Sequence, residues 1–271
     1  MHKRIAFIGG GNMARAIIAG LLQQGIAPAQ IEVVEPFLQA RELLATQFGV
    51  QALDQAGPSL AAADLVVWAV KPQNFHAATV PVCQHTSNAL HWSVAAGIPS
   101  DIIAQWLGTG RVVRAMPNTP ALIGLGITGL FARSEVSSAD CEWIETLAGT
   151  LGRFVWLAQE SLLDAVTALS GSGPAYVFYF IETMIETGMG MGLTADQARA
   201  LAVETFYGAS ALARASSEDL GTLRQQVTSK GGTTHAAITR LEQDQVKAHF
   251  SHALQAAEQR ARELGKEFGG S

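Results

Sequence analysis

The chain has 271 residues, 48% hydrophobic and 15% charged: enough apolar material for one large core or two modest ones, and too little charge for a disordered or coiled-coil protein. Asp and Glu total 23 against 18 Lys and Arg, and the formal net charge of −5 argues against a nucleic-acid-binding face, which needs clustered cations to neutralise phosphates. Two cysteines, Cys83 and Cys141, make neither a disulfide framework nor a CxxC pair, so the expected location is the cytoplasm.

In chain order, Lys3 and Arg4 precede an apolar run that is too short for a signal peptide, and residues 5–8 read as a buried strand. Residues 12–24 read as a helix ending at Gly25, residues 31–35 as a second strand, and residues 38–48 as a helix stopped by Gly49. Further strands are expected at 65–70, 91–94 and 111–115; the uncharged 65–70 belongs near the middle of the sheet. Alternating apolar strands and helices predict a Rossmann-type, doubly wound, mainly parallel sheet covered on both faces.

From about residue 161 the strand signals vanish and Ala-, Leu- and Met-rich stretches predict an all-helical domain, giving domains 1–160 and 161–271. Ser161 can cap one helix, and Thr194 with Gln197 forms a capping box for another. Pro174 suits a first turn after the small-residue turn 169–173. Helices are expected over 174–190, 195–214, 217–227, 233–241 and 245–268, with residues 269–271 frayed. The first two look apolar around most of their surface, which predicts an obligate dimer or a higher homo-oligomer. No stretch approaches the roughly 20 apolar residues that a bilayer requires, so no membrane is expected as a partner.

Chemistry enters at the first turn. Gly9, Gly11 and Ala14 form G-x-G-x-x-A directly after a strand and opening a helix. Gly9 allows the tight turn, Gly11 lets the backbone approach a pyrophosphate, and Ala14 permits close helix–strand packing. A glycine-rich turn without a ligand is the plainer alternative. Glu35 ends the second strand, where a carboxylate could accept from both ribose hydroxyls and repel a 2′-phosphate; an exposed strand-end charge has equal weight.

No Lys or Arg occurs between Arg153 and Arg199, which removes the acid/base lysine of a β-hydroxyacid dehydrogenase. The seven histidines form no relay, and Cys83 with His85 lacks the further ligands of a metal site, so no metal is expected. Two small-residue turns remain, at 169–176 and 227–234. Each leads into a helix and presents backbone N–H groups without bulk, which suits a small carboxylate or, equally, close helix packing.

Six stretches then occur in order: Gly9-Gly-Gly-Asn-Met13, Ala69-Val-Lys-Pro72, Val94-Ala-Ala-Gly97, Arg114-Ala-Met-Pro-Asn-Thr-Pro120, Ser170-Gly-Ser-Gly-Pro-Ala-Tyr176 and Val227-Thr-Ser-Lys-Gly-Gly-Thr-Thr234. Together, over nearly the whole chain, they resemble the pyrroline-5-carboxylate reductase family. The resemblance implies NADP(H) or NAD(H) as cofactor, held at the pyrophosphate by Ile8, Gly9, Gly10, Gly11, Asn12 and Met13. It implies Glu35 and Pro36 near the adenosine ribose, and Ala69, Val70, Lys71, Pro72, Val94, Ala95 and Ala96 along the path to the nicotinamide. Lys71 and Asn118 have plainer readings as a strand-end lysine and a turn-stabilising asparagine; the resemblance puts Asn118 at the floor of the nicotinamide site.

The implied substrate is L-1-pyrroline-5-carboxylate. Val227, Ser229, Gly231, Gly232 and Thr233 would form its carboxylate turn, and the Thr234 hydroxyl, the catalytic group, would bond the ring nitrogen. Hydride transfer to the C=N carbon would give L-proline, the last step of proline biosynthesis. Many family members carry Pro where this chain has Lys230. The alternatives are another imine or keto-acid reductase of the same two-domain build, and a non-catalytic dinucleotide-binding regulator.

Overall fold

A computed structural model describes residues 3–269. The expected residue at the frayed end, Gly269, closes the last helix, and Gly270 and Ser271 lie outside the described residues. The first part of the chain runs β1 (Ile5–Ile8), α1 (Asn12–Gln23), β2 (Ile31–Val34), α2 (Leu38–Phe48), β3 (Ala52–Leu53), β4 (Leu65–Trp68), α3 (Pro72–Cys83), β5 (Leu90–Ser93), α4 (Ser100–Leu107), β6 (Val112–Met116), β7 (Gly126–Ala132), α5 (Ser138–Gly149) and β8 (Gly152–Trp156).

These strands form one sheet in the order β3-β2-β1-β4-β5-β6-β7-β8, with β4 near the middle. Neighbours are parallel except β6 and β7, which pair antiparallel from Val113↔Ala132 to Met116↔Gly129. The nine-residue link from 117 to 125 is shorter than the dozen or so that a parallel crossover needs, so β7 returns beside β6. The apolar residues of each strand divide between two cores. Ile5 and Phe7 join Ile17, Val33, Val67 and Trp92 on one face, whereas Ala6 and Ile8 join Val34, Val66, Trp68 and Phe75 on the other. That alternation explains why the strands read as continuous apolar runs.

β3, β7 and β8 were outside the expected strands. β3 has only two residues. β7 carries Gly126 and Gly129, residues depleted in strands, because there is no room for a side chain: a β-carbon on Gly129 would stand 2.9 Å from Val166 Cγ1.

The second half is helical: α6 (Leu162–Val166), α7 (Gly173–Gly190), α8 (Ala195–Ala215), α9 (Leu220–Gln226), α10 (Thr233–Gln243) and α11 (Val246–Gly269). The Thr194–Gln197 capping box forms as expected, with Gln197 N donating to Thr194 Oγ1 at 3.3 Å and Thr194 N to Gln197 Oε1 at 3.0 Å. Ser161 makes no side-chain cap, and α9 starts three residues later than expected because Asp219 caps it, accepting from Thr222 N. Residues 167–171 are no open turn. They form a π-helical turn, with Ser172 N donating to Thr167 O at 2.8 Å, that joins α6 to α7. Small residues fit there because a β-carbon on Gly171 would collide with Met116 Cε.

The chain divides by packing into two compact units, residues 173–256 and the remainder. The sequence places the boundary at 160/161; α6 and the π turn stay with the first unit because α6 packs on β6 and β7. The end of α11, from Ala257, also belongs to the first unit. In the second unit α7 and α8 meet through small residues, with Ala198 and Ala202 buried. Phe250 on α11 takes Tyr176 and Phe180 edge-on at 5.7 and 5.6 Å.

Candidate active site

At the carboxyl ends of β1, β2 and β4 lies a cavity of about 680 Å³, within the range of ligand pockets. Ile8, Gly9, Gly11, Glu35, Pro36, Ala69, Val70 and Lys71 line it, so one wall after another comes from residues singled out in the sequence. The β1–α1 turn is built around its glycines. Gly9 has φ +96°, and a β-carbon there would stand 2.7 Å from the Ala69 carbonyl oxygen. A β-carbon on Gly10 would stand 2.8 Å from Leu44 Cδ1. Above Gly11, by contrast, an added β-carbon would meet no protein atom within 4 Å. Gly11 is also the N-cap of α1 and supplies no side chain to the first-turn N–H groups, so this open face can take an anion.

Glu35 departs from the plainer of its two readings from sequence. It is buried at 6% exposure rather than an exposed strand-end charge. Its Oε2 accepts from Gly10 N at 2.7 Å and its Oε1 from Phe37 N at 2.9 Å. The carboxylate therefore ties the end of β2 to the glycine turn, which leaves it only part of its accepting capacity for any ribose hydroxyl. Arg41 reinforces the same corner: its Nη1 donates to the carbonyls of Glu35 at 2.9 Å and Pro36 at 2.8 Å.

Of the other residues singled out, Asn12 accepts from Arg15 Nη2 and Met13 packs against the first core. Pro72 opens α3, whose N-cap is the exposed Lys71. Val94 leans on one core and Ala95 on the other, with Ala96 half-buried between them and Gly97. Asn12, Met13, Pro72, Val94, Ala95 and Ala96 are outside the cavity lining, whereas Lys71 is part of it. Asn118 is buried, and its Oδ1 accepts from Ile127 N at 3.0 Å, stapling the start of the β6–β7 link to its end. Its turn-stabilising reading is thus realised in the fold.

The cavity also takes in Phe37, Asp54, Gln55 and Asn74, which the sequence reading missed. Phe37 carried a usable signal, as a large apolar residue at a strand-to-helix turn that stays 72% exposed. Asp54 and Gln55 follow a strand too short to announce itself.

In the second unit, Val227 closes α9, and Ser229, Lys230, Gly231 and Gly232 turn the chain into α10. Gly232 N donates to Ser229 O at 3.0 Å, and Gly231 has φ +78°. A β-carbon on Gly232 would stand 2.6 Å from Ser229 Oγ, so bulk is excluded. Gly232 is the N-cap of α10 and supplies no side-chain cap, whereas α8 and α9 have theirs. The first-turn N–H groups beside Thr233 and the half-buried Thr234 therefore face no internal acceptor from a cap. Lys230 is exposed. Among the described residues, no three His, Cys, Asp or Glu side chains gather so as to hold a metal ion.

A doubly wound sheet with this glycine turn, and a match of residues 4–96 to the family model for NADP oxidoreductase, coenzyme F420-dependent, define an NAD(P)-dependent oxidoreductase. Residues 160–264 match the model for pyrroline-5-carboxylate reductase dimerisation. The chain is 43% identical to the pyrroline-5-carboxylate reductase of Pseudomonas aeruginosa, and the alignment covers 98% of each chain. It therefore belongs to the pyrroline-5-carboxylate reductase family. The family member of Vibrio alginolyticus is 38% identical, over 98% of this chain and 99% of that one. Among solved structures, the enzyme of Coxiella burnetii superposes with a TM-score of 0.91 at 38% identity, covering 98% of this chain and 100% of that one. The Plasmodium falciparum enzyme, solved with NADP bound, gives 0.87 at 26% identity and covers 97% and 98%.

Proposed function

We propose that the protein reduces the C=N bond of L-1-pyrroline-5-carboxylate to L-proline, the last step of proline biosynthesis, with NADH or NADPH as reductant. The observation that carries this reading is the turn before α10. Its bare glycine N-cap, the close-packed Ser229–Gly232 contact and the adjoining threonine hydroxyls offer uncapped N–H groups without bulk, which suits a small carboxylate.

Ile8 to Met13 then hold the pyrophosphate, with Gly11 as the open floor and Glu35 fixing Gly10 beneath it. Glu35 and Pro36 border the adenosine ribose, and Ala69 to Pro72, Val94 to Ala96 and Asn118 border the nicotinamide half. When bound, the reduced nicotinamide supplies the hydride that the imine carbon accepts. The N–H groups from Ser229 to Thr233 hold the substrate carboxylate and so fix which face of the ring is presented. Thr234 Oγ1 accepts the N–H of the protonated imine and keeps that proton on the nitrogen, which becomes the secondary amine of proline. A protonated imine is electrophilic without help from a strong acid. The absence of Lys and Arg between Arg153 and Arg199 therefore fits chemistry carried by orientation and exclusion of water.

The same reading takes the protein as a homo-oligomer, at least a dimer. Phe178, Tyr179 and Tyr207, each about two-thirds exposed on α7 and α8, are large apolar side chains of the kind that another subunit covers. It also places the protein in the cytoplasm, where the unpaired thiols of Cys83 and Cys141 are at home, and without a nucleic-acid partner. Among the described residues, no helix is long and apolar enough to cross a membrane.

Thr234→Val, which keeps the shape and removes the hydroxyl, tests the assignment. The expected result is a loss in kcat of about a hundredfold with cofactor affinity unchanged, the size of a lost transition-state hydrogen bond. Unchanged turnover removes Thr234 from the mechanism.

A further inference from the structure

The loop after β5, from Val94 to Gly97, is supported from three directions. At its start, Val94 N donates to Trp68 O at 3.1 Å and Ala95 N to Ser93 Oγ at 3.3 Å. Just beyond its end, Ser100 N and Ser100 Oγ each donate to the Glu160 carboxylate at 2.6 Å, and Arg114 Nη1 donates to the same carboxylate. Between these anchors, at Gly97 itself, the support comes from the last turns of α11.

Leu264 and Gly265 lie three and four residues after Ala261, and Phe268 lies four and three residues after them, so the four share one face of α11. Ala261 is buried, and Phe268 packs into the core that holds Ala95, Ile98 and Ile103. Gly97 has φ +79°, and a β-carbon on it would stand 3.3 Å from Leu264 Cβ and 3.6 Å from Gly265 N. One on Gly265 would stand 3.3 Å from the Gly97 carbonyl oxygen. The two glycines thus meet at close range, and the helix rests on the loop with only the Leu264 β-carbon beside them. Glycine in a helix interior is destabilising, and its presence at 265 has this contact as its physical reason.

We propose that the end of α11, through Gly265 and Phe268, sets the height of the Val94–Gly97 loop and thereby seats the nicotinamide ring. The proposal rests on the reading above that Val94 to Ala96 border the nicotinamide half of the cofactor. Gly265 and Phe268 are positioning residues, acting through the loop rather than on the cofactor. The adenosine and pyrophosphate half is backed by other groups: the glycine turn rests on Ala69 and Leu44 and is held by Glu35. Only the nicotinamide end should therefore feel a change at α11.

The test compares two probes, NADH and ADP-ribose, by titration on the full-length wild type and on Gly265→Ala, Gly265→Val and Phe268→Ala, with thermal melts alongside. ADP-ribose carries the adenosine and pyrophosphate but no nicotinamide. The account predicts ADP-ribose affinity within about twofold of wild type for all three variants, while NADH weakens by about twofold to threefold in Gly265→Ala and fivefold to tenfold in the other two. Gly265→Ala is the decisive member, because alanine favours the helix: its melting temperature should hold or rise while NADH affinity falls. Equal loss of both probes, in step with lower melting temperature, would make α11 a prop for the whole domain and overturn the proposal. So would NADH affinity unchanged in all three. If the wild type binds ADP-ribose and NADH with equal affinity, the placement of the nicotinamide on this loop fails first, and that result is distinct from either of the others.

Discussion

Glu35, at the end of β2, accepts a 2.7 Å hydrogen bond through Oε2 from the backbone N–H of Gly10, the middle glycine of the β1–α1 turn. This bond locks together two of the chain segments that wall the cavity, and it accounts for a buried acid at a place where an exposed one was equally expected. Removing the acceptor would leave a buried N–H unpaired, at a cost of about 1–3 kcal/mol. Glu35→Ala is therefore expected to weaken NADH and NADPH together, by about tenfold each on the same estimate, and Glu35→Gln, which keeps an acceptor oxygen, by less. Fluorescence titration with both cofactors reads this. A variant that loses NADH but gains NADPH would show instead that the acid acts mainly on the ribose.

The two outer glycines of the turn should separate fold from function. At Gly9, φ +96° and the Ala69 carbonyl both oppose a side chain, so Gly9→Ala should lower stability by about 2 kcal/mol or more. Gly11 has φ −70° and open space where its β-carbon would go. Gly11→Ala should melt within a degree or two of wild type yet bind cofactor at least about tenfold more weakly, because the methyl fills the place of the pyrophosphate. Calorimetry together with cofactor titration distinguishes the two. Normal binding by Gly11→Ala would move the pyrophosphate elsewhere.

His91 gives a pH dependence of stability. It is buried in β5, its Nδ1 accepts from Trp68 Nε1 at 3.0 Å, and its Nε2 lies 3.2 Å from the Thr86 carbonyl, so the neutral ring with the proton on Nε2 satisfies both partners. Burial pushes its pKa down from 6.5 to about 4. The unfolded chain thus binds the proton more tightly than the folded one. The contribution is full above pH 6.5 and is lost as pH falls toward 4, reaching about 3 kcal/mol. Urea unfolding of wild type and His91→Gln between pH 7.5 and 4.5 should show the wild type losing ground to the variant as pH falls. Parallel pH profiles would contradict the assignment.

Much of the first unit was legible because its strands and helices carry strong local signals. The helix 38–48, stopped by Gly49 in the left-handed conformation, lies where sequence places it, as do β1 and the glycine turn that follows it. What escaped reading was set by distant contacts. Gly126 and Gly129 made β7 look like a loop, yet Val166 on α6 and Ala121 leave no room there for anything larger. The π turn at 167–171 resembled a break because small residues serve a break and a close approach to Met116 equally well. In the site, glycines and turn residues could be picked out from spacing, whereas Glu35's true partners could not. A hydrogen bond to an amide 25 residues away leaves no mark on the local pattern.

The most direct measurement follows reduced-nicotinamide absorbance when L-1-pyrroline-5-carboxylate is added to the purified protein, with NADH and NADPH in parallel and proline quantified at the end. The account predicts rapid oxidation with one proline formed per cofactor oxidised, and far slower turnover of a six-membered or open-chain imine. Cofactor binding without oxidation, or preference for the open-chain substrate, would contradict it.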